Sequence, residues 1–274
     1  MPSTSVRVGN LDFHVVHEGS GEPVLFLHGF PDSSRLWRHQ IPAFLKAGFQ
    51  VVAPDLRGFG DSDKPSETEA YAMPALVGDV VGILDQLNIS RAHVVGHDWG
   101  AGVAWVLAAM QPQRVNRLVV LSVGHPATFF KAGLSQREKS WYMLLFQFRF
   151  AEDLLTRDNW AFFRDFVRHH PECDRWIEDL SRPGALTAAL NWYRANVVPE
   201  NAVTERWVLP SVAAPTLGIW SSGDAYLTET QMLLSHQCVT SSWTYERIEG
   251  ASHWMQLDQP ERVNDLILRF LKSS

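Results

Sequence analysis

The chain lacks the features of three large classes of protein. Its only cysteines, Cys173 and Cys238, form no C-x-x-C pair, which excludes a disulfide scaffold or zinc ribbon and favours a reducing compartment. No apolar run approaches the roughly 18 residues that a membrane span needs, and the N-terminus shows no signal-peptide pattern. Basic residues are fewer than acidic ones, 24 against 30, which argues against binding to nucleic acid or anionic membranes. We therefore expect a cytoplasmic protein.

The residues that are abundant indicate a globular protein with a large core. Apolar residues make up 46% of the 274 and charged residues 20%, as is usual for soluble domains. This length allows one large domain, or a core with an appendage. There are 11 tryptophans, which could also line an apolar pocket.

Short apolar runs alternate along the chain with longer helical patterns. Strand-like runs occur at 24–27, 51–53, 94–95, 118–121, 216–220 and 244–248. Helical patterns cover about 33–48, 73–88, 99–110 and 260–272. Residues 6–8 and 13–17 indicate an edge hairpin. The alternation predicts an α/β fold, in which helices cover both faces of a mostly parallel sheet.

One long segment interrupts this alternation. Residues 126–211 have a helical pattern without a strand-like run, and they contain Trp141, Trp160, Trp176, Trp192 and Trp207. We interpret this segment as a helical cap inserted between 1–125 and 212–274, the two parts of the core. Such an insertion is well placed to cover a site at the strand ends.

The candidate nucleophile is Asp98, in Gly96-His97-Asp98-Trp99-Gly100. Small residues around a central residue, between a strand and a helix, are typical of a nucleophile elbow. Glycine suits the strained turn, and the start of a helix stabilises an ionised carboxylate. The alternative is an ordinary N-cap aspartate.

Two further residues complete a possible catalytic triad. Asp224 follows the strand at 216–220, and His253 follows the strand-like 244–248. Either residue alone would be interpreted as an ordinary loop residue. Their order along the chain, however, is nucleophile, acid and then histidine, which is the order in α/β hydrolases. His28-Gly29-Phe30-Pro31 follows the first buried strand, where it is either a simple turn or an oxyanion hole formed by the N–H groups of Phe30 and Trp99. A cis Phe30-Pro31 bond is also expected.

At this point the chain resembles the α/β-hydrolase-fold epoxide hydrolases, which use an aspartate nucleophile and are related to haloalkane dehalogenases. The motifs that carry the resemblance are His28-Gly29-Phe30-Pro31, Arg57-Gly58-Phe59-Gly60-Asp61-Ser62, Gly96-His97-Asp98-Trp99-Gly100, Asn191-Trp192-Tyr193-Arg194 and Ser252-His253-Trp254. The resemblance implies an eight-stranded sheet with a helical cap. The sequence departs from the family pattern at Ser252, where glycine is usual, and its cap is short for the family.

The resemblance also implies the roles of particular residues. Two cap tyrosines of that family grip the epoxide oxygen, and Tyr142 and Tyr193 occupy the matching positions, although Tyr142 could simply pack in its helix. Phe30, Trp99 and Trp254 would contact an apolar epoxide. The reaction would need water but no metal or organic cofactor, and the oligomeric state is left open.

An aspartate nucleophile restricts the chemistry. Attack on an ester would give a mixed anhydride, whereas attack on an sp³ carbon gives an alkyl ester that water can hydrolyse. This favours epoxides, with haloalkanes as the alternative. A fluoroacetate dehalogenase would need arginines on the elbow helix, and a receptor without turnover would not need the triad. His169-His170 is interpreted as an exposed helix end rather than a metal site.

Overall fold

The computed structural model describes residues 2–197 and 209–273. Eight strands form one sheet, and their order across it is β1-β2-β4-β3-β5-β6-β7-β8. Their bounds are β1 (Ser3–Val8), β2 (Leu11–Glu18), β3 (Pro23–Leu27), β4 (Gln50–Pro54), β5 (Ala92–His97), β6 (Val115–Leu121), β7 (Thr216–Ser221) and β8 (Trp243–Ile248). Strands β3 to β8 are parallel, and the β1–β2 hairpin joins β4 in antiparallel pairing. The predicted parallel sheet and edge hairpin are thereby confirmed.

The central strands are buried on both faces, which is why they read as continuous apolar runs. All six residues of β5 and of β7 are buried. Helices therefore cover the sheet on both sides, as parallel sheets require. The carboxyl ends of these strands meet at one edge of the sheet, and the loops that follow them face a common region.

Twelve α-helices are found in the described residues. Their bounds are α1 (Gln40–Lys46), α2 (Met73–Gln86), α3 (Trp99–Met110), α4 (Pro126–Phe129), α5 (Leu134–Lys139), α6 (Trp141–Leu145), α7 (Ala151–Phe166), α8 (Cys173–Leu180), α9 (Ala185–Asn196), α10 (Glu229–Leu234), α11 (Met255–Asp258) and α12 (Pro260–Lys272). Helix α7 contains a kink with non-helical backbone at 157–160. The structure confirms the helices expected near 73–88, 99–110 and 260–272.

The expected single helix over 33–48 is wrong. A short 3₁₀ helix covers Ser34–Trp37, and α1 begins only at Gln40. Pro42 accounts for the break, because a proline ring clashes with the carbonyl group four residues earlier. The α-helix can therefore begin only where Pro42 falls in its first turn.

Helices α4 to α9 lie between β6 and β7, in the segment that the sequence analysis interprets as a cap. Trp160, Trp176 and Trp192 are buried, whereas Trp141 is 47% exposed. Trp207 and most of the C-terminal end of the expected segment lie outside the described residues. No helix in 2–197 or 209–273 combines the length and apolar character needed to cross a bilayer.

Candidate active site

Asp98 lies on a strained turn between β5 and α3. Its backbone has φ 52° and ψ −124°, a region that a non-glycine residue rarely occupies. A Cβ atom at Gly29 would overlap the Asp98 carboxylate, and one at Gly100 would overlap the backbone of β3, so both positions need glycine. The Asp98 side chain makes no capping bond to α3. Asp98 thus occupies the N-cap position of α3, but its side chain does not act as the cap.

Asp224 and His253 meet Asp98 at the carboxyl edge of the sheet. His253 Nδ1 lies 2.9 Å from Asp224 Oδ2, and His253 Nε2 lies 3.5 Å from Asp98 Oδ2. The other oxygen of Asp224 accepts the N–H groups of Tyr226 and Leu227, at 2.8 and 2.9 Å. The imidazole is thus held between two carboxylates, one of which is fixed by the backbone.

These charges set the protonation state of His253. Burial lowers its pKa, but Asp224 and Asp98 outweigh burial and raise the pKa to about 10. Burial raises the pKa of Asp224, yet His253 and the two backbone N–H groups bring it below its usual value. The free site therefore holds an imidazolium between carboxylates at neutral pH.

His97 supports the loop of His253, a role that its place in the Gly96–Gly100 motif does not indicate. Its Nε2 lies 2.9 Å from the carbonyl oxygen of His253, and the two rings are 4.6 Å apart. Burial, and to a smaller extent the charge of His253, lower the pKa of His97 to about 3. A neutral His97 can donate this bond without adding a second positive charge.

The oxygen of Asp98 that does not face His253 points towards a backbone donor. The Phe30 N–H donates to Asp98 Oδ1 at 2.8 Å, and the Phe30-Pro31 peptide bond is cis, as expected. The N–H of Trp99, the first residue of α3, has no intrahelical partner and lies beside the same carboxylate. Both expected donors are therefore next to the candidate nucleophile.

Tyr142 and Tyr193 come together above Asp98 from α6 and α9. Both are buried, and their ring centroids are 5.9 Å apart. Burial, followed by the negative charge of Asp98, raises the pKa of both phenols. The Trp99 side chain, whose ring lies 5.0 Å from that of Tyr193, acts in the opposite direction and moderates the increase in the Tyr193 pKa. Both phenols are therefore neutral and keep a proton to donate.

Three residues of the Asn191-Trp192-Tyr193-Arg194 motif hold helix α9 in place. The Trp192 indole N–H donates to the Arg57 carbonyl at 2.9 Å, and the Asn191 amide donates to the Ser66 carbonyl at 3.3 Å. Arg194 pairs with Glu152 of α7 at 2.7 Å. Three side chains thus anchor α9 to the core and to α7, while Tyr193 contacts Trp99.

Helix α5 is fixed to the loop of Asp224 by two residues that the sequence patterns do not single out. The Gln136 side chain donates to the Tyr226 carbonyl at 3.0 Å and accepts the N–H of Thr228 at 2.8 Å. Lys139 Nζ donates to the Asp224 carbonyl. The helix that directly precedes the helix of Tyr142 is therefore tied to the loop of Asp224 by polar bonds.

Ser252, the departure from the family pattern, joins a small network beside the triad. Its hydroxyl and its N–H both donate to Asp258 Oδ2, at 2.5 and 2.7 Å. His170 Nε2 lies 3.2 Å from the other oxygen of Asp258. The interpretation of His169-His170 as an exposed helix end is wrong for His170, which is buried against Trp176 and Trp254.

Trp254 and Phe30 line a narrow aromatic space next to His253, and Trp99 lines a larger apolar cavity on the other side of Asp98. All residues that the sequence analysis assigned to catalysis or substrate binding thus lie around Asp98. Their roles in a reaction stay predictions.

One group of side chains in the described ranges could hold a metal ion. Ligand atoms of His14, Asp55 and Asp61 lie within 4.8 Å of one another. Asp55, however, already accepts the N–H groups of Ser34 and Asp61, at 2.8 and 2.9 Å, and pairs with His14 at 3.1 Å. The group is better explained as the support of the Arg57–Ser62 loop.

The fold and the site together define an α/β hydrolase: a mostly parallel sheet with a strained aspartate turn after β5, and an acid and a histidine in the loops after β7 and β8. Comparison with known proteins gives the same class. The family model described as "alpha/beta hydrolase fold" matches residues 22–260.

Individual relatives and solved structures point to a narrower family within this class. It is 34% identical to "Epoxide hydrolase 4" of Homo sapiens, over 97% of this chain and 77% of that protein. It is 36% identical to "Epoxide hydrolase 3" of Xenopus tropicalis, over 97% and 76%. The solved epoxide hydrolase of Bacillus megaterium superposes with a TM-score of 0.90 at 30% identity, covering 98% of this chain and 100% of that one. The chain therefore belongs to the epoxide hydrolases of the α/β-hydrolase-fold family and is a hydrolase enzyme.

Proposed function

We propose that this enzyme converts small apolar epoxides into vicinal diols through an ester between the substrate and Asp98. The observation that supports this best is the position of Asp98, with His253 on one side and two neutral tyrosines above it. A carboxylate that faces proton donors suits attack on an sp³ carbon whose oxygen leaves as an alkoxide.

In the first step, Asp98 forms a C–O bond to one oxirane carbon while the bond from that carbon to the oxirane oxygen breaks. The alkoxide takes a proton from Tyr142 or Tyr193, since both phenols are neutral. The tyrosine regains its proton at the expense of the His253 imidazolium. The step ends with a neutral ester and a neutral imidazole, so charge is conserved.

Formation of the ester also prepares His253 for its role as a base. Asp98 is one of the two carboxylates that raise the pKa of His253. Once Asp98 is esterified its charge is lost, and the pKa of His253 falls accordingly. The imidazole, still oriented by Asp224, can then accept a proton.

In the second step, His253 takes a proton from water as the water oxygen attacks the carbonyl carbon of the ester. The N–H groups of Phe30 and Trp99 stabilise the oxyanion. Collapse of this intermediate breaks the ester bond, and the second water proton goes to the leaving alkoxide. The products are the diol, ionised Asp98 and protonated His253, so no cofactor is required.

Haloalkane dehalogenation is the alternative for the same triad. A halide needs two side-chain N–H donors, and Phe30, which faces Asp98 beside Trp99, has none. We therefore favour epoxides. The division of the chain into a core and a cap at 126–211, the cytoplasmic location and the absence of nucleic-acid and membrane partners stay predictions.

A parallel assay tests the proposal. Purified enzyme is incubated with styrene oxide and with 1-bromobutane, and diol and bromide are measured. We expect diol from the first and little or no bromide from the second, and neither from Asp98→Ala. Bromide without diol would support the dehalogenase alternative, and neither product would indicate a binding protein.

A further inference from the structure

Asp98 lies between two cavities of very different size. For the centre of a water-sized sphere, the larger cavity has a volume of about 120 Å³ and the smaller about 10 Å³. Asp98, Tyr142 and Tyr193 line both cavities. An oxirane held between these three residues therefore has one side towards each cavity.

The larger cavity has the lining that a hydrocarbon substituent needs. Met73, Val106, Val123, Met143 and Leu227 contribute apolar side chains to it. Transfer of an apolar group from water to such a surface is favourable roughly in proportion to the buried area. The substituent of an epoxide can lie here.

The smaller cavity is walled by aromatic rings that touch one another. Phe166 and Tyr226 have ring centroids 5.2 Å apart, and Tyr226 and Trp254 are 5.9 Å apart. Phe30 lies 6.4 Å from Phe166. These rings crowd the smaller cavity, so a second substituent of the oxirane would collide with them.

Tyr226 is fixed at both of its ends. Its N–H donates to Asp224 Oδ1 at 2.8 Å, and its hydroxyl donates to the Phe166 carbonyl at 2.5 Å. Turning the ring aside would leave a buried carbonyl group without a partner, which is costly. The wall formed by Phe166 and Tyr226 is therefore rigid rather than adaptable.

His253 lines the smaller cavity and, among the described residues, not the larger one. The water that His253 activates must therefore be on this side of Asp98. A single water molecule fills roughly 10–15 Å³ on the same measure. The smaller cavity therefore holds about one water molecule and leaves no room for a substituent of the oxirane.

We propose, resting on the epoxide hydrolase function above, that the enzyme is specific for terminal epoxides with one apolar arm. The arm occupies the cavity of Val106 and Met143, and Phe166 with Tyr226 excludes a substituent on the other oxirane carbon. Phe166 and Tyr226 are then specificity-determining residues, because they line the water side of the site and limit its size.

The first test uses the unmodified enzyme. We expect kcat/KM for styrene oxide to exceed that for trans-stilbene oxide by about 100-fold or more, since even a single methylene of misfit can cost roughly 10–200-fold. Similar values for the two epoxides would overturn the specificity while leaving the epoxide hydrolase function intact. Failure to open any epoxide would overturn both.

The second test locates the selectivity. Phe166→Ala should reduce the ratio of the two kcat/KM values by roughly 10-fold or more, and Phe166→Leu should reduce it less. Met143→Ala, a matched control in the larger cavity, should not admit trans-stilbene oxide. The Leu variant and a thermal unfolding measurement cover the case in which the Ala variant does not fold. An unchanged ratio in folded Phe166 variants, or equal changes in Met143→Ala, would contradict the assignment of the wall.

Discussion

The two halves of the site are held in place by different forces. In the core loops, Asp224 and His253 are fixed by a 2.9 Å charged bond and by backbone N–H groups. In the helices between β6 and β7, which polar bonds anchor to the core, the phenol rings of Tyr142 and Tyr193 are themselves positioned by contacts with Phe146, at 5.6 and 4.9 Å. Neither tyrosine hydroxyl is bound to a carboxylate among the described residues.

The difference follows from charge. A buried charge is stable only with close partners, so the triad needs a fixed hydrogen-bonded frame. A neutral phenol can be held by shape alone, which leaves its proton for the substrate. The account therefore predicts that changes in the triad block a chemical step, whereas changes in the tyrosines slow one.

The largest effect is expected from His253→Ala. Alkylation of Asp98 needs no base, and water can return the proton to the tyrosine in place of His253. Hydrolysis of the ester does need a base, so the variant should stop after the first step. Intact-protein mass spectrometry should show enzyme plus one epoxide, with no diol released. If no adduct forms although substrate binding is demonstrated, His253 is needed for alkylation and the division of steps is wrong.

The tyrosine pair should give the next largest effect. Tyr193→Phe removes one hydroxyl and keeps the ring contacts, so epoxide alkylation should slow by roughly 10-fold or more, and the double Phe variant by roughly 10²–10⁴-fold. Stopped-flow measurement of alkylation checks this.

The control for the tyrosine variants is stability. Because the rings remain, the unfolding transitions of both variants should match that of the unmodified enzyme. A double variant that opens epoxides at the original rate would reduce the tyrosines to packing residues and would favour the dehalogenase alternative.

A smaller effect concerns the ionisation of His253. The charges of Asp98 and Asp224 raise its pKa to about 10, against about 6.5 in the unfolded chain. Its contribution to stability is therefore complete below pH 6.5 and is lost as the pH rises through 10. Asp98→Ala should lower this pKa and so narrow the pH range over which protonated His253 stabilises the fold.

NMR titration of the His253 ring in the free enzyme and in Asp98→Ala measures this shift. A ring that is already neutral at pH 8 in the unmodified enzyme would contradict the ion-paired site.

The core of the fold could be predicted from sequence because its signals are local. The apolar run of β3 ends at Leu27, directly before His28-Gly29, and helix α3 covers the expected 99–110. The break before α1 was missed because the pattern of apolar residues continues through it. Pro42 was the available signal.

Contacts between distant segments could not be predicted in this way. Lys139 meets Asp224, and His170 meets Asp258, across 85 and 88 residues of sequence. Nothing in the local pattern around Tyr226 indicates that its ring faces His253 at 5.1 Å. Such contacts depend on how the helices between β6 and β7 pack on the sheet.

The covalent role of Asp98 is tested most directly by a single turnover in H₂¹⁸O, with enzyme in excess over a terminal epoxide. The account predicts that ¹⁸O enters the Asp98 carboxylate, found by mass spectrometry of the peptide that contains it, while the first diol carries an unlabelled oxygen from Asp98. Label in the diol alone after the first turnover would mean that water attacks the epoxide directly and would contradict the ester mechanism.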